Sequence, residues 1–246
     1  MKKSEVLVIT ALVLILASLF GYDYLLSNEY LSGRYKDPYR NFVTLKFKDF
    51  DRADLPSSTT ANVRFVQGPF KVMIDTNALR YVTIKQNGNR LQVNTVFAHG
   101  NFYNPNPFIV LISCPVIKEI NASGIYRSAR LIITDTLSGD DWTRRKILIE
   151  GFKQDSLVIH QDYGSSVMIE NSTINNLTAL LGTSKGSGPK ILISKSNSFG
   201  HANFDLRNKS QLFLSGAKIR TLNYFLADSA KLVVSGDARN LVKSNN

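Results

Sequence analysis

The side chains that could support catalysis are scattered along the C-terminal half of this chain. Acid–base hydrolysis of a glycoside needs two carboxyl groups held close together, and a calcium site needs several oxygen ligands. The residue one repeat after Asp205, in the pattern described below, is Phe225, so no carboxyl pair forms there. The candidate carboxylates of this half are Asp155, Asp162, Asp205, Asp228 and Asp237. Because they are scattered, the sequence predicts that the protein is not an enzyme.

The remaining reactive residue types are also isolated. Cys114 is the only cysteine and lies in an apolar run, which favours a buried structural thiol. The three histidines, His99, His160 and His201, are far apart in sequence and do not have the spacing of a metal site. No glycine-rich phosphate loop and no nucleic-acid-binding motif is present. We therefore expect no metal, no cofactor and no nucleic-acid partner.

Two loop-like segments carry the residues best suited to contact a partner. The first has Phe102 and Tyr103 among Gly, Asn and Pro residues, and the second has Trp142 followed by Arg144 and Arg145. Aromatic rings can stack on a sugar, and arginines can pair with anions. These five residues form the predicted contact patch.

A repeat of short apolar strands must hold these loops in place. The pattern apolar-x-apolar returns after 20 residues (147 to 167), 24 (167 to 191), 21 (191 to 212) and 20 (212 to 232). A second series lies about half a period away and includes Leu157 and Phe204. Strands repeating at a period near 20 are typical of a β-solenoid. We predict an all-β fold: a right-handed parallel β-helix.

The chain before this repeat contains strand patterns that alternate apolar and polar residues. Asn87-Gly88 separates two of them and predicts a tight hairpin. This part is expected to form a β-layer that caps the solenoid, because a solenoid needs an atypical end unit. The predicted organisation is an anchor helix at 1–26, a tether at 27–40, an N-terminal β-layer at 41–110 and a parallel β-helix at 111–240, with 41–240 one continuous domain.

The N-terminal segment is long and apolar enough to be a transmembrane helix. Lys2 and Lys3 precede Val6–Tyr22, which contains no charged residue and is long enough to span a membrane. The small residues near its end do not have the spacing of a signal-peptidase cleavage site. An uncleaved signal-anchor is therefore favoured over a cleaved signal peptide. The positive-inside rule then places the N-terminus in the cytoplasm and the rest of the chain in the periplasm, as a single-pass protein of a bacterial inner membrane.

Three stretches resemble the autotransporter-adhesin head GIN domain family of bacterial envelope proteins. They are the strand–Gln-Gly–strand segment at 61–74, the paired strands at 82–93 around Asn-Gly, and the strand–Pro–Ser-Gly segment at 112–124. The resemblance spans about residues 41 to 237. It implies a parallel β-helix in the cell envelope without an established enzymatic role.

The charge of the chain bears on its partner. Lysine and arginine total 30 against 19 aspartate and glutamate, which gives a formal net charge of +11. We expect a non-catalytic, membrane-tethered, adhesin-like module whose partner is an envelope protein. The alternative is a module that binds an anionic polysaccharide through its basic surface. A carbohydrate-active β-helix enzyme is less favoured, and the oligomeric state is left open.

Overall fold

The computed structural model describes residues 2–33, 36–37, 39–97, 108–139 and 145–242. The chain divides into two compact units, Met1–Phe42 and Val43–Asn246. The first unit is dominated by one helix, and the second is built mostly from β-strands. Each unit is described by itself.

The first unit contains helix α1, Lys3–Ser32. The backbone N–H of Lys2 donates to Glu5 at 2.9 Å, and the helix ends at Gly33, which has a φ of 66°. A left-handed residue at this position is a common helix terminator, and glycine adopts it without steric cost. None of its residues is buried, and its length and apolar composition suit a membrane span or a signal sequence. The helix continues past residue 26 into the segment expected to be a tether.

In the part of the chain that the structure describes, nineteen strands and a short C-terminal helix follow α1, and all of them lie in the second unit apart from Phe42, the first residue of β1. The strands are β1 Phe42–Leu45, β2 Arg52–Leu55, β3 Ala61–Gln67, β4 Lys71–Asp75, β5 Val82–Asn87, β6 Arg90–Phe97, β7 Phe108–Cys114, β8 Glu119–Ala122, β9 Ile125–Ser128, β10 Leu131–Thr134, β11 Ile147–Glu150, β12 Lys153–Gln161, β13 Ser166–Glu170, β14 Thr173–Leu181, β15 Lys190–Ile193, β16 Ser198–Leu206, β17 Gln211–Ser215, β18 Lys218–Leu226 and β19 Lys231–Ser235. Helix α2 is Arg239–Val242, and 3-10 turns lie at Ser58–Thr60, Thr76–Ala78 and Gly236–Ala238.

These strands form two mixed sheets. The nine-stranded sheet has the order β1-β4-β7-β3-β11-β13-β15-β17-β19. The ten-stranded sheet contains β10-β9-β6-β2-β8-β12-β14-β16-β18, with β5 paired to β6. From β11 onward, successive strands alternate between the sheets, and from β13 onward each pairs in parallel with the strand two places earlier.

The pairing register in the nine-stranded sheet is the one that the sequence repeat predicts. Ile147 pairs with Val167, Val167 with Ile191, Ile191 with Leu212, and Leu212 with Leu232. Their side chains point inward, and those of the first four strands are fully buried. In the second series, Leu157 pairs with Leu177 and Phe204 pairs with Tyr224, as the spacing predicts. The step between them is shifted by two residues, because Phe204 pairs with Ala179 and not with Leu177.

The strands before residue 110 belong to the same two sheets. β3 lies between β7 and β11, and β2 lies between β6 and β8, all in parallel. The predicted boundary between 110 and 111 therefore falls within β7. The hairpin at Asn87-Gly88 is confirmed: β5 and β6 pair antiparallel, and Gly88 has a φ of 59°.

Candidate functional site

Most of the predicted contact patch cannot be placed. Phe102, Tyr103, Trp142 and Arg144 lie outside the described residues. Arg145 is described, is exposed and has a φ of 56°.

The site that the described residues do form is a groove of about 500 Å³ on the ten-stranded sheet. It lies where β2, β8, β12 and β14 end. Its lining comprises Asp54, Leu55, Pro56, Gln92, Asn121, Ala122, Ser123, Ile125, His160, Gln161, Asp162, Tyr163, Leu180 and Thr183.

The floor of the groove is a row of polar side chains in one register, which we call the polar row: Gln92, Asp54, Asn121 and His160. Asp54 pairs with both Gln92 and Asn121, and Asn121 pairs with His160. The flanking residues in these strands are mostly buried, so alternation turns the polar row outward. Neighbouring strands are about 4.8 Å apart, which sets the spacing of the row. Leu180 of β14 continues it.

An ion-pair network holds the middle of the polar row. Arg90 contacts Asp54 Oδ1 at 2.6 Å and Glu119 Oε1 at 3.0 Å. The amide nitrogen of Asn121 donates to the same two oxygens at 2.8 and 2.9 Å. Two groups fixed by several bonds each lose little freedom on binding a ligand, which is a form of preorganisation.

Glu119 remains ionised within this network. Burial alone would raise its pKa, but hydrogen bonds from Arg90 and Asn121, together with the charges of Arg90 and Arg52, lower the pKa below its ordinary value. The pKa of Arg90 is raised: burial would lower it, and the bonds to Glu119 and Asp54 outweigh that effect. A carboxyl group held as its anion is not available as a general acid near neutral pH.

Asp162 lies at one end of the groove, and its carboxylate accepts four hydrogen bonds. Its carboxylate accepts hydrogen bonds from Ser184 Oγ at 2.5 Å, Ser187 Oγ at 2.6 Å, the Ser184 backbone N–H at 3.1 Å and Thr183 Oγ1 at 3.1 Å. Burial would raise the pKa of Asp162, but these bonds lower it overall. The carboxylate therefore ties the segment between β14 and β15, the long step of the repeat, to the end of β12.

Tyr163 adopts a backbone conformation that bulky residues avoid. Its φ is 51°, within the turn closed by the hydrogen bond from Ser165 N–H to the Asp162 carbonyl. The corresponding turn two repeats later, Arg207 to Ser210 after β16, has Asn208 at the same place with the same φ. Asparagine tolerates this region, whereas a bulky residue there is an outlier. The next residue must be small, because a Cβ on Gly164 would lie 2.5 Å from the Leu137 carbonyl oxygen.

Of the carboxylates, histidines and cysteine considered in the sequence, the structure brings Asp162 and His160 to the groove. In the described part of the chain, no cluster of three His, Cys, Asp or Glu residues could hold a metal ion. Asp155 bonds to Asn175. Asp205 pairs in register with Leu180, at the end of the polar row, and its carboxylate forms an ion pair with Arg207. Cys114 is buried, and burial raises the pKa of its thiol to about 12, which keeps it protonated.

Sequence reasoning missed the groove, because the polar row comes from four strands distant in sequence. One signal did point near it. The 24-residue step is the longest in the repeat, and its extra residues include Ser184 and Ser187, the partners of Asp162. Insertions in repeat proteins often gather on a binding face.

Two solved structures resemble this chain. One is a candidate adhesin from Parabacteroides distasonis, with 12% identity, a TM-score of 0.53, and coverage of 78% of this chain and 71% of that one. The other is a candidate adhesin from Bacteroides fragilis, with 14% identity, a TM-score of 0.50, and coverage of 79% and 92%. No family model and no curated protein sequence matches the chain. At these identities the likeness establishes a shared fold.

Proposed function

We propose that this chain is a non-catalytic, adhesin-like binding module of the bacterial cell envelope. The observation that carries the proposal is the groove: its polar row stands on parallel strands of a continuous sheet, with hydrogen-bonding groups fixed in advance. Such a site binds without needing a reactive group. Structural likeness to two candidate adhesins supports the same conclusion by analogy of fold.

The fold proposed for the module is a right-handed parallel β-helix of the head GIN type. Support comes from the alternation of successive strands between two sheets and from their parallel pairing at the period of the sequence repeat. Parallel strands joined through a crossover are almost always right-handed. A rigid solenoid presents its faces at fixed geometry, which suits recognition of an extended envelope polymer or protein.

The module is proposed to be held at the inner membrane by α1, with its N-terminus in the cytoplasm. An exposed helix that is free of charge over Val6–Tyr22, preceded by Lys2 and Lys3, supports this topology. Alkaline phosphatase fused after Asn246 tests it, because this enzyme is active only in the periplasm. High activity that stays with the membrane fraction is expected. An inactive fusion contradicts the topology, and activity released into the soluble fraction indicates cleavage.

Binding to the envelope is the direct test of the function. Purified full-length protein in detergent is mixed with envelope fragments, pelleted and eluted with a salt gradient. Retention that survives high salt is expected for the groove, because hydrogen bonding and stacking are screened weakly. Release at modest salt favours the alternative partner, an anionic polysaccharide bound through the basic surface. Failure to bind any fraction overturns the proposal.

A further inference from the structure

We propose that the groove binds a neutral, hydroxyl-rich saccharide, with the polar row contacting hydroxyl groups and Tyr163 contacting a ring face. This inference rests on the proposed binding function and names its ligand class. It differs from the basic-patch alternative in both site and chemistry, because it uses neither Trp142 nor the arginines beside it.

The polar row has spare hydrogen-bonding capacity on every member. The bonds that fix Asp54 and Asn121 use Asp54 Oδ1 and the Asn121 amide nitrogen, so Asp54 Oδ2 and Asn121 Oδ1 have no protein donor in the described part of the chain. Within the same described residues, the Gln92 amide and the His160 imidazole make no hydrogen bond. Asp54 Oδ2 and Asn121 Oδ1 can only accept hydrogen bonds, whereas the Gln92 side-chain amide and the His160 imidazole can each donate and accept them. A ligand that donates and accepts at closely spaced points fits this row, and hydroxyl groups do both.

The charges of the groove favour a ligand without net charge. The two acidic side chains at the centre, Asp54 and Glu119, face two arginines, Arg90 and Arg52. Asp162 is the remaining carboxylate, and its oxygens are occupied by serine and threonine donors. An anionic polymer would meet the carboxylates of Asp54 and Asp162, and the described lining of the groove includes no lysine or arginine to pair with it. A cation would have to replace the arginines, which already neutralise the two central acids.

Apolar side chains also line the groove beside the polar row. Leu180 continues the row, and Pro56, Ile125 and Tyr163 line the groove around it. A wholly apolar ligand would remove water from Asp54 and Asn121 without replacing their hydrogen bonds, which is costly. A pyranose ring presents C–H faces and hydroxyl edges together. The groove likewise combines apolar side chains, which can contact the C–H faces, with polar groups that can bond to the hydroxyls.

The strained backbone at Tyr163 is an independent indication of a site. The equivalent turn uses Asn208, so the fold itself does not need an aromatic residue there. A bulky residue in the left-handed region costs about 1 kcal/mol or more, and such strain concentrates at functional positions. The cost is understandable where the ring has a ligand to contact, because aromatic side chains contribute large contact areas.

The test uses the full-length protein in a detergent without a sugar headgroup, applied to an array of neutral and anionic oligosaccharides. The tightest neutral oligosaccharide is then titrated by calorimetry at low and high salt. We expect binding to a neutral oligosaccharide with an affinity that changes little with salt. His160→Ala is expected to weaken it about five- to tenfold, the effect of one lost hydrogen bond. Tyr163→Asn is expected to weaken it by at least as much.

His201→Ala is the matched control, because His201 is also an exposed histidine on the ten-stranded sheet but lies outside the groove. It should bind like the wild type. Preference for anionic oligosaccharides, or equal affinity of the His160, Tyr163 and His201 variants, overturns the inference. If the full-length protein still binds envelope fragments in that case, the proposed function survives and only the ligand class fails. If the protein binds neither oligosaccharides nor envelope fragments, the proposed function and the proposed ligand class both fail.

Discussion

Asn121 and His160 stand side by side in register on the parallel strands β8 and β12. No local motif joins them, and their proximity follows from strand pairing alone. Because Asn121 is also bonded to Asp54 and Glu119, the row at the groove floor is continuous with an ion-pair network. The groove residues are therefore held in place by the strand pairing that forms the sheet.

Leu214→Asp should prevent the second unit from folding. Leu214 is 1% exposed and pairs with Ile193 and Val234 in the inward row, so the change buries an unpaired charge. We expect a loss of more than about 4 kcal/mol in the free energy of unfolding. Thermal melting followed by circular dichroism measures it. The neighbouring change Ser215→Asp, at an exposed position, should leave the melting temperature nearly unchanged. Equal melting of the two variants would show that the inward assignment is wrong.

Tyr163→Asn should stabilise the fold while it weakens ligand binding. The substitution relieves the left-handed strain at a φ of 51° and is expected to raise the free energy of unfolding by about 0.5–1 kcal/mol. Chemical denaturation measures the change. The reverse change, Asn208→Tyr, should destabilise, because it introduces the strain and removes the 2.6 Å bond from Asn208 to the Gly182 carbonyl. A destabilised Tyr163→Asn variant would mean that ring packing outweighs the backbone strain.

Asp162 should contribute stability that disappears in acid. Its folded-state pKa is lowered, so its contribution is fully present above its ordinary value of 3.8 and is lost as pH falls through the lower folded value. Asp162→Asn should therefore be less stable than wild type at pH 7, and the difference should shrink toward pH 2. Thermal melts across this range test it. Asp228→Asn, which alters an exposed aspartate, should track the wild type throughout. A stability difference between wild type and Asp162→Asn that stays constant with pH would contradict the lowered pKa of Asp162.

Cys114 should be unreactive in the folded protein. Its side chain is fully buried, and burial raises its thiol pKa to about 12, so the reactive thiolate is scarce at neutral pH. Ellman's reagent should detect no thiol in native full-length protein and one thiol per chain after denaturation. Rapid reaction of native protein would show that β7 opens readily.

Local patterns in the sequence were sufficient for the strands and their inward faces. Ile147, Val167, Ile191 and Leu212 could be aligned from spacing alone, because alternation with a period of two and a constant step are local properties. The same holds for the Asn-Gly hairpin and for the apolar α1. The buried Cys114 also followed from its apolar neighbours.

Pairing between distant strands decided the rest. Nothing local indicates that β3 lies between β7 and β11, or that Gln92, Asp54, Asn121 and His160 form one row, because register across a sheet depends on the packing of all its strands. The left-handed turn at Tyr163 likewise depends on the close approach of Gly164 to the Leu137 carbonyl. The sequence by itself determined which residues face the core, through their hydrophobic periodicity. The tertiary structure alone decided which polar residues meet at the groove, because those contacts join segments whose separation along the chain no local pattern records.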